Sequence, residues 1–401
     1  FRLNDPSASA LVVIRVEDTG GFGGLKQVPR LANLVETALD ETRLITFLED
    51  QDPDLPPGPS GGAWTMIGGV DEAEETLIAN DGSLSPYSLA PSAQVWLRNS
   101  TTGETFNPFA GGQFSLVDNR PVVQIDGQAA GGVSAQSTAF KDEADRAVRW
   151  RLAITREGEA AYDELIVAAR PFRINRTLAP FCNPVMAGDE QLWLNNAPFL
   201  AARSAPDAFD SGETWAGLTY ELPEGALTLD FDLAGAAGSE LPPAADFDRR
   251  LAETREAWAD RANQATISVP DGSVQAALDA SLGYLLLASD PDGPHPGPLA
   301  HNAIWTRDAA YMGLALLMRG HEDVVRNYVT AVFSGQEADG RIPPIQGEAA
   351  PWENNEWDAQ GQAIFLAMQL YRFTGDQEYL QAIYPKMSLA ADYILKLRGQ
   401  T

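Results

Sequence analysis

The sequence predicts an α+β chain of more than one domain, an antiparallel β-sandwich followed by antiparallel helical hairpins. Three observations predict it. Short runs that alternate apolar and polar residues recur up to about residue 240, which is the period of a half-buried strand. A proline-rich break, Pro242-Pro243-Ala244-Ala245-Asp246, ends them. Beyond residue 270 the apolar residues return at the three-to-four spacing of helices.

The division is therefore 1–240 for the sandwich, 241–270 for a linker with a helix, and 271–401 for the helical domain. Strand runs are Leu11–Val16, Gln94–Leu97, Pro121–Ile125, Ala147–Leu152 and Leu227–Leu233. Turn residues such as Asn80-Asp81-Gly82-Ser83 and Asp126-Gly127 separate such runs. Many strands at modest spacing suggest two packed sheets. Trp96, Trp150 and Trp193 read as core residues, and Leu31 to Leu48 as a candidate helix.

Phe247 to Asn263 reads as the linker helix, and Thr266-Ile267-Ser268-Val269-Pro270 as an extended link, since proline disfavours helix in the residue before it. Five helices follow. The first buries Val274, Ala277, Leu278, Leu282, Leu285 and Leu286. The second, Thr306 to Arg319, is apolar nearly all round and so packed on most sides, with Gly320 as its C′ residue. The third turns Val324, Val325, Tyr328, Val332 and Phe333 inward. The fourth spans about Asp358 to Phe373 and ends at Gly375. The fifth runs from Tyr379 to Leu397, and Pro385 predicts a break or kink in it.

Tight joints, 319–323 and 374–378, alternate with long links, 290–305 and 335–357. In antiparallel helices that alternation puts the long links on one rim.

Two clusters sit at the ends of those links: Trp305-Thr306-Arg307-Asp308, and Trp352-Glu353 through Glu356-Trp357-Asp358. Indole rings offer a flat apolar face to a pyranose, while carboxylate and guanidinium groups bind hydroxyls through charge-assisted hydrogen bonds. A purely structural reading competes. Thr306 and Asp358 suit helix N-caps, Asp308 a first-turn acid, and Arg307 a structural ion pair. Two such clusters at equivalent positions favour a site.

Composition narrows the partners. Among 401 residues, 44% are hydrophobic, and no run reaches the roughly 20 apolar residues of a membrane span. The net charge of −28 repels nucleic acid and anionic lipid. One cysteine, Cys182, allows no internal disulfide. With three histidines and no HExxH or CxxC spacing, zinc is not expected. No cofactor is predicted, although a calcium site of Asp and Asn oxygens stays open. Sequons stand at Asn99 and Asn175. Phe1 rather than Met fits a processed export signal or a trimmed start, so the expectation is a soluble chain with export open.

A sandwich, a linker helix and hairpins opened by Trp-Thr-Arg-Asp resemble a glucoamylase-like or trehalase-like glycoside hydrolase with an (α/α)6 barrel. Trp305, Arg307 and Asp308 match that family's Trp-x-Arg-Asp, and Trp352 or Trp357 with Asp358 and Gly361 resembles its next Trp loop. The string Glu356-Trp357-Asp358-Ala359-Gln360-Gly361-Gln362 is more like the broader bacterial α/α-barrel glycosidases.

The resemblance covers residues 245–401 well and the front domain only in class. It implies that 271–401 is the first part of the barrel, and that Trp305, Arg307, Asp308, Trp352, Trp357 and Asp358 bind substrate. It also implies a general acid after the fifth helix and a base after the eleventh, both beyond Thr401. The chain is then a fragment, or the second half of the barrel is a separate partner chain. The expected activity is exo-acting, inverting hydrolysis of a glucoside-like oligosaccharide. A glycoside phosphorylase and a non-catalytic sugar-binding protein are the alternatives. Glycoside hydrolysis needs two flanking carboxyl groups, and within the chain Glu353, Glu356, Asp358 and Asp308 offer them. An apolar wall at Trp357 would raise the pKa of Glu356, as an acid requires.

Overall fold

In the computed structural model the described residues are 63–88, 90–170, 174, 184–186, 190–194, 197–212, 215–236, 238–299, 301–347 and 356–399. The strand expected at Leu11–Val16, the helix expected at 31–48, the Asn175 sequon, Cys182, Trp352 and Glu353 lie outside them.

The front half consists of two eight-stranded antiparallel sheets. One runs in the order β1 (Trp64–Ile67), β2 (Thr76–Ala79), β3 (Leu84–Ser85), β4 (Ser92–Arg98), β10 (Glu164–Arg170), β15 (Ala216–Glu221) and β14 (Ala208–Ser211), with β5 (Thr105–Phe106) paired to β4. The other is β11 (Pro184–Met186), β12 (Gln191–Leu194), β13 (Ala197–Ala202), β16 (Gly225–Leu233), β9 (Val148–Arg156), β8 (Val133–Lys141), β7 (Val122–Asp126) and β6 (Gln113–Leu116). Alternate residues point inward, for example Ala93, Val95 and Leu97 on β4 and Trp150, Leu152 and Ile154 on β9. Register follows from this pattern, because a one-residue slip would turn every apolar side chain outward.

Trp150 is wholly buried and its indole N–H donates to Ser137 Oγ at 2.8 Å. Trp96 is buried in a second, smaller cluster with Ile166, Ala168 and Trp215. Trp193 is only half-buried. The expected turn at Asn80–Ser83 joins β2 to β3, with Gly82 at φ 79°, where an L side chain is strained.

Helix α1 (Phe247–Ala262) is firmly held at both ends. Phe247 packs on Phe140 of β8 at 5.2 Å, and Arg151 of β9 lies over the Phe247 ring while pairing with Asp230 and Asp248. Trp258 and Ala262, at its other end, belong to the core of the helical half.

That half contains α2 (Gly272–Leu287), α3 (Thr306–Met318), α4 (Glu322–Ser334), α5 (Ala359–Thr374) and α6 (Gln377–Arg398). Helices α3 and α5 lie side by side. A Cβ on Gly313 of α3 would come within 2.5 Å of Leu366 on α5, so glycine permits the close approach. Helices α4 and α6 return behind them, burying Val325, Tyr328, Val329, Val332 and Ile383, Met387, Ala390. No helix of the described residues is long and apolar enough to cross a membrane.

Three expectations need correction. Helix α6 is unbroken through Pro385. The buried residues Ile383 and Met387 flank the proline on the packed face, and their tertiary contacts offset one lost backbone hydrogen bond. Val274 is 48% exposed and Ala277 is exposed too, because the N-terminal part of α2 stands clear of the core. Helix α3 is not enclosed all round: Tyr311 is 66% exposed and Met318 51%. The long link 290–305 carries the hairpin β17 (Ser289–Asp290) and β18 (Gly293–Pro294) and the strand β19 (Ile304–Trp305).

Candidate functional site

The two long links meet through backbone pairing. Strand β19 pairs with β20 (Ile345–Gln346) in the register Ile304 to Gln346 and Trp305 to Ile345. This small ladder puts the start of α3 beside the segment that leads to α5. Thr306 strengthens it: its N–H donates to Pro344 O at 2.9 Å and its hydroxyl to Pro343 O at 3.0 Å. Thr306 is therefore not the N-cap of α3. Trp305 holds that position, without a side-chain cap bond, because the threonine hydroxyl is used across the ladder.

Arg307 and Asp358 join the two helix starts directly. Nε donates to Oδ2 and Nη2 to Oδ1, both at 2.8 Å. Glu356 Oε2 lies 3.1 Å from the same Nη2. Such a planar bidentate contact fixes orientation as well as distance. Asp358 stands at the N-cap of α5 but caps nothing through its side chain, since both its oxygens face Arg307. The guanidinium hydrogen bond holds the Asp358 carboxyl below the usual carboxylate range. Asp308 lies half-buried on the first turn of α3.

Trp305 is half-buried, and its indole nitrogen is enclosed without a hydrogen-bond partner. The ring of His301 lies against it, with centroids 4.9 Å apart, and His301 has a left-handed φ of 63°. Trp357 is 67% exposed. With Tyr311, Asp358, Gly361, Gln362, Phe365 and Ile394 it lines an open hollow of about 410 Å³. Trp357 also lines a smaller cleft, with Arg341, Ile342, Pro344, Glu356, Gln360 and Tyr393. The structure thus brings Trp305, Arg307, Asp308, Glu356, Trp357 and Asp358 to one rim.

Sequence reasoning missed a second group on that link, Asp290, Asp292 and His295, although the spacing Asp-x-Asp-x-x-His was there to be read. Burial, with Asp292 and Glu74 close by, pushes the Asp290 carboxyl up to about 7. Burial and then Asp290 do the same to Glu75 of the sandwich, also to about 7.

Residues 298–400 match the family model for the bacterial alpha-L-rhamnosidase six-hairpin glycosidase domain. The structure also resembles a bacterial glucoamylase complexed with acarbose, with a TM-score of 0.60 and 12% identity, over 85% of this chain and 60% of that one. The fold is glucoamylase-like. In this fold the antiparallel sheets stand in front, and the hairpins α3–α4 and α5–α6 fall within the segment that matches the six-hairpin model. A fainter likeness, with a TM-score of 0.44 and 9% identity, extends over 80% of this chain and 50% of a protein from the human microbiome described as a kojibiose phosphorylase. No curated protein matches the chain. The chain spans about 60% of the length of the glucoamylase.

Proposed function

We propose that this chain supplies the saccharide-holding rim of an exo-acting, inverting glycoside hydrolase that acts on a glucoside-like oligosaccharide. The observation that supports it most is the bidentate Arg307–Asp358 contact, which aligns charged groups from two hairpins beside two indoles. On this reading Trp305, Trp357 and Trp352 present apolar faces to the sugar rings. Arg307, Asp308 and Asp358 take hydroxyls through charge-assisted hydrogen bonds. Asp358, kept ionised by Arg307, is a poor proton donor, and a general acid has to enter the reaction protonated. As the family resemblance implies, the acid and base then come from later hairpins of the ring.

The test is turnover of an aryl α-glucoside by the protein in its natural form, with and without phosphate, with the first-formed anomer read by NMR. Hydrolysis without phosphate and with inversion is the expected result. Strictly phosphate-dependent product would make the protein a phosphorylase, and binding without turnover a lectin-like module. The family-model match favours an α-L-rhamnoside as the second substrate class, and an aryl rhamnoside is the matching arm. Asp308→Asn is expected to lower turnover by about a hundredfold through lost substrate positioning. Unchanged kinetics would remove Asp308 from the site.

A further inference from the structure

We propose that Asp290, Asp292 and His295 bind one divalent first-row transition cation of the Zn²⁺ type, on the link that leads into Trp305. The hairpin β17–β18 makes the juxtaposition. Asp290 pairs with Gly293 across its turn, and one donor atom from each of the three residues falls within 4.8 Å of the others.

The hydrogen bonds around His295 select a tautomer. Asn302 Oδ1 lies 2.6 Å from Nδ1, while Asn302 Nδ2 turns to the Pro298 carbonyl at 3.5 Å. An amide oxygen only accepts, so Nδ1 carries the proton and Nε2 is left with a lone pair in the neutral ring. Metal-bound histidines are oriented by a hydrogen bond of this kind from the other ring nitrogen.

Nε2 is enclosed and lies 3.2 Å from Asp292 Oδ1, yet no hydrogen bond joins them. A lone pair and a carboxylate oxygen at that separation repel unless positive charge lies between them. Neighbouring ligands on a cation with bonds of ~2.0–2.1 Å are separated by roughly 2.9–3.4 Å. The observed spacing fits two ligands on one ion better than a donor and its acceptor.

Asp290 supplies an independent sign. Its side chain is 4% exposed and Oδ2 lies 3.3 Å from His295 Nδ1, but Oδ1 is enclosed with no hydrogen-bond partner. A buried carboxyl oxygen without a partner is costly unless a cation or a proton neutralises the group. Asp292, 63% exposed, leaves the group open to solvent on one side, so an ion can enter. One imidazole with two carboxylates suits zinc or manganese better than calcium, which takes six to eight oxygens. Bound there, the ion would tie together the turn at 290–295 and, through Asn302, the segment three residues before Trp305.

The inference stands apart from the saccharide reading, and its test needs no substrate. The full chain, stripped with a chelator, is titrated with ZnCl₂ by calorimetry, with CaCl₂ as the comparison and Co²⁺ absorption as a spectroscopic readout. The expected result is one saturable Zn²⁺ site, weakened about tenfold or more in Asp292→Asn and in His295→Gln. Zn²⁺ should also raise the melting temperature of the unsubstituted chain, and EDTA should reverse it. If His295→Gln does not fold, the exposed Asp292→Asn carries the test. Absence of saturable binding overturns the proposal, as does uptake of several ions indifferent to both substitutions or a preference for Ca²⁺. In those cases the three side chains form only a polar cluster that orders the turn.

Discussion

In the sandwich, Arg149 is 1% exposed and reaches Asp142, Asp145 and Asp232. On the rim, Arg307 is 44% exposed and reaches Asp358 and Glu356. The functional groups are the same in both places, but their surroundings give them different roles. Removing charges from water costs several kcal/mol each, so the Arg149 group persists only because its donors and acceptors are matched inside the fold. An exposed pair contributes ~0–1 kcal/mol. The rim arrangement is thus nearly neutral for stability. Its consequence is position, since it holds a guanidinium and a carboxylate in a set orientation where a ligand can reach them. The comparison teaches that burial, rather than the pairing itself, separates a structural ion group from a candidate binding one.

Arg149→Ala tests the contrast most severely. It takes from buried Asp142 and Asp232 the guanidinium they share, leaving Asp142 with Arg250 and Asp232 with Arg203, and about 3 kcal/mol of stability should be lost, read by denaturant unfolding of the sandwich. A loss near zero would erase the distinction between the two groups. Gly313→Leu comes next. Overpacking against Leu366 should cost about 1–3 kcal/mol and separate α3 from α5, weakening saccharide binding along with stability. Arg307→Met should move stability by no more than ~1 kcal/mol. The same substitution should weaken saccharide binding, measured by calorimetry, by tenfold or more (~1.4 kcal/mol). A large stability loss there with unchanged binding would make Arg307 a structural residue like Arg149.

The smallest effect concerns acid. The Asp358 carboxyl is held below its ordinary value, so its contribution is present above the usual carboxylate range and is lost as pH falls through the depressed value. Because the group is 41% exposed, the loss should stay within ~1 kcal/mol. An acid melt of Arg307→Met should lack it.

Much of this was legible from the chain alone. The strand at Leu227–Leu233 announced itself by period-two alternation, those at Gln94–Leu97 and Pro121–Ile125 by short apolar, β-branched or aromatic runs, and Gly320 and Gly375 marked helix ends. The meeting of Trp305–Asp308 with Glu356–Asp358 on one rim was legible too, because the alternation of short joints and long links is a topological fact independent of side-chain detail. Other assignments failed for a common reason. Thr306 has the character of a cap, but its hydroxyl found Pro343, thirty-seven positions away. Pro385 is a helix breaker in isolation, but packing of Ile383 and Met387 carries α6 through it. Local propensity is a weak prior, and a long-range contact worth a kcal/mol or so overrides it.

Periodicity, charge and loop length therefore determined the sandwich, the order of the hairpins and which residues gather near the rim, since these depend on neighbours along the chain. Tertiary structure alone decided that Arg307 grips Asp358 and that Asp290, Asp292 and His295 converge. It also decided which arginine is buried and which is exposed. Those outcomes depend on distances between residues remote in sequence and on the dielectric around them, and neither is encoded in any local pattern of residue types.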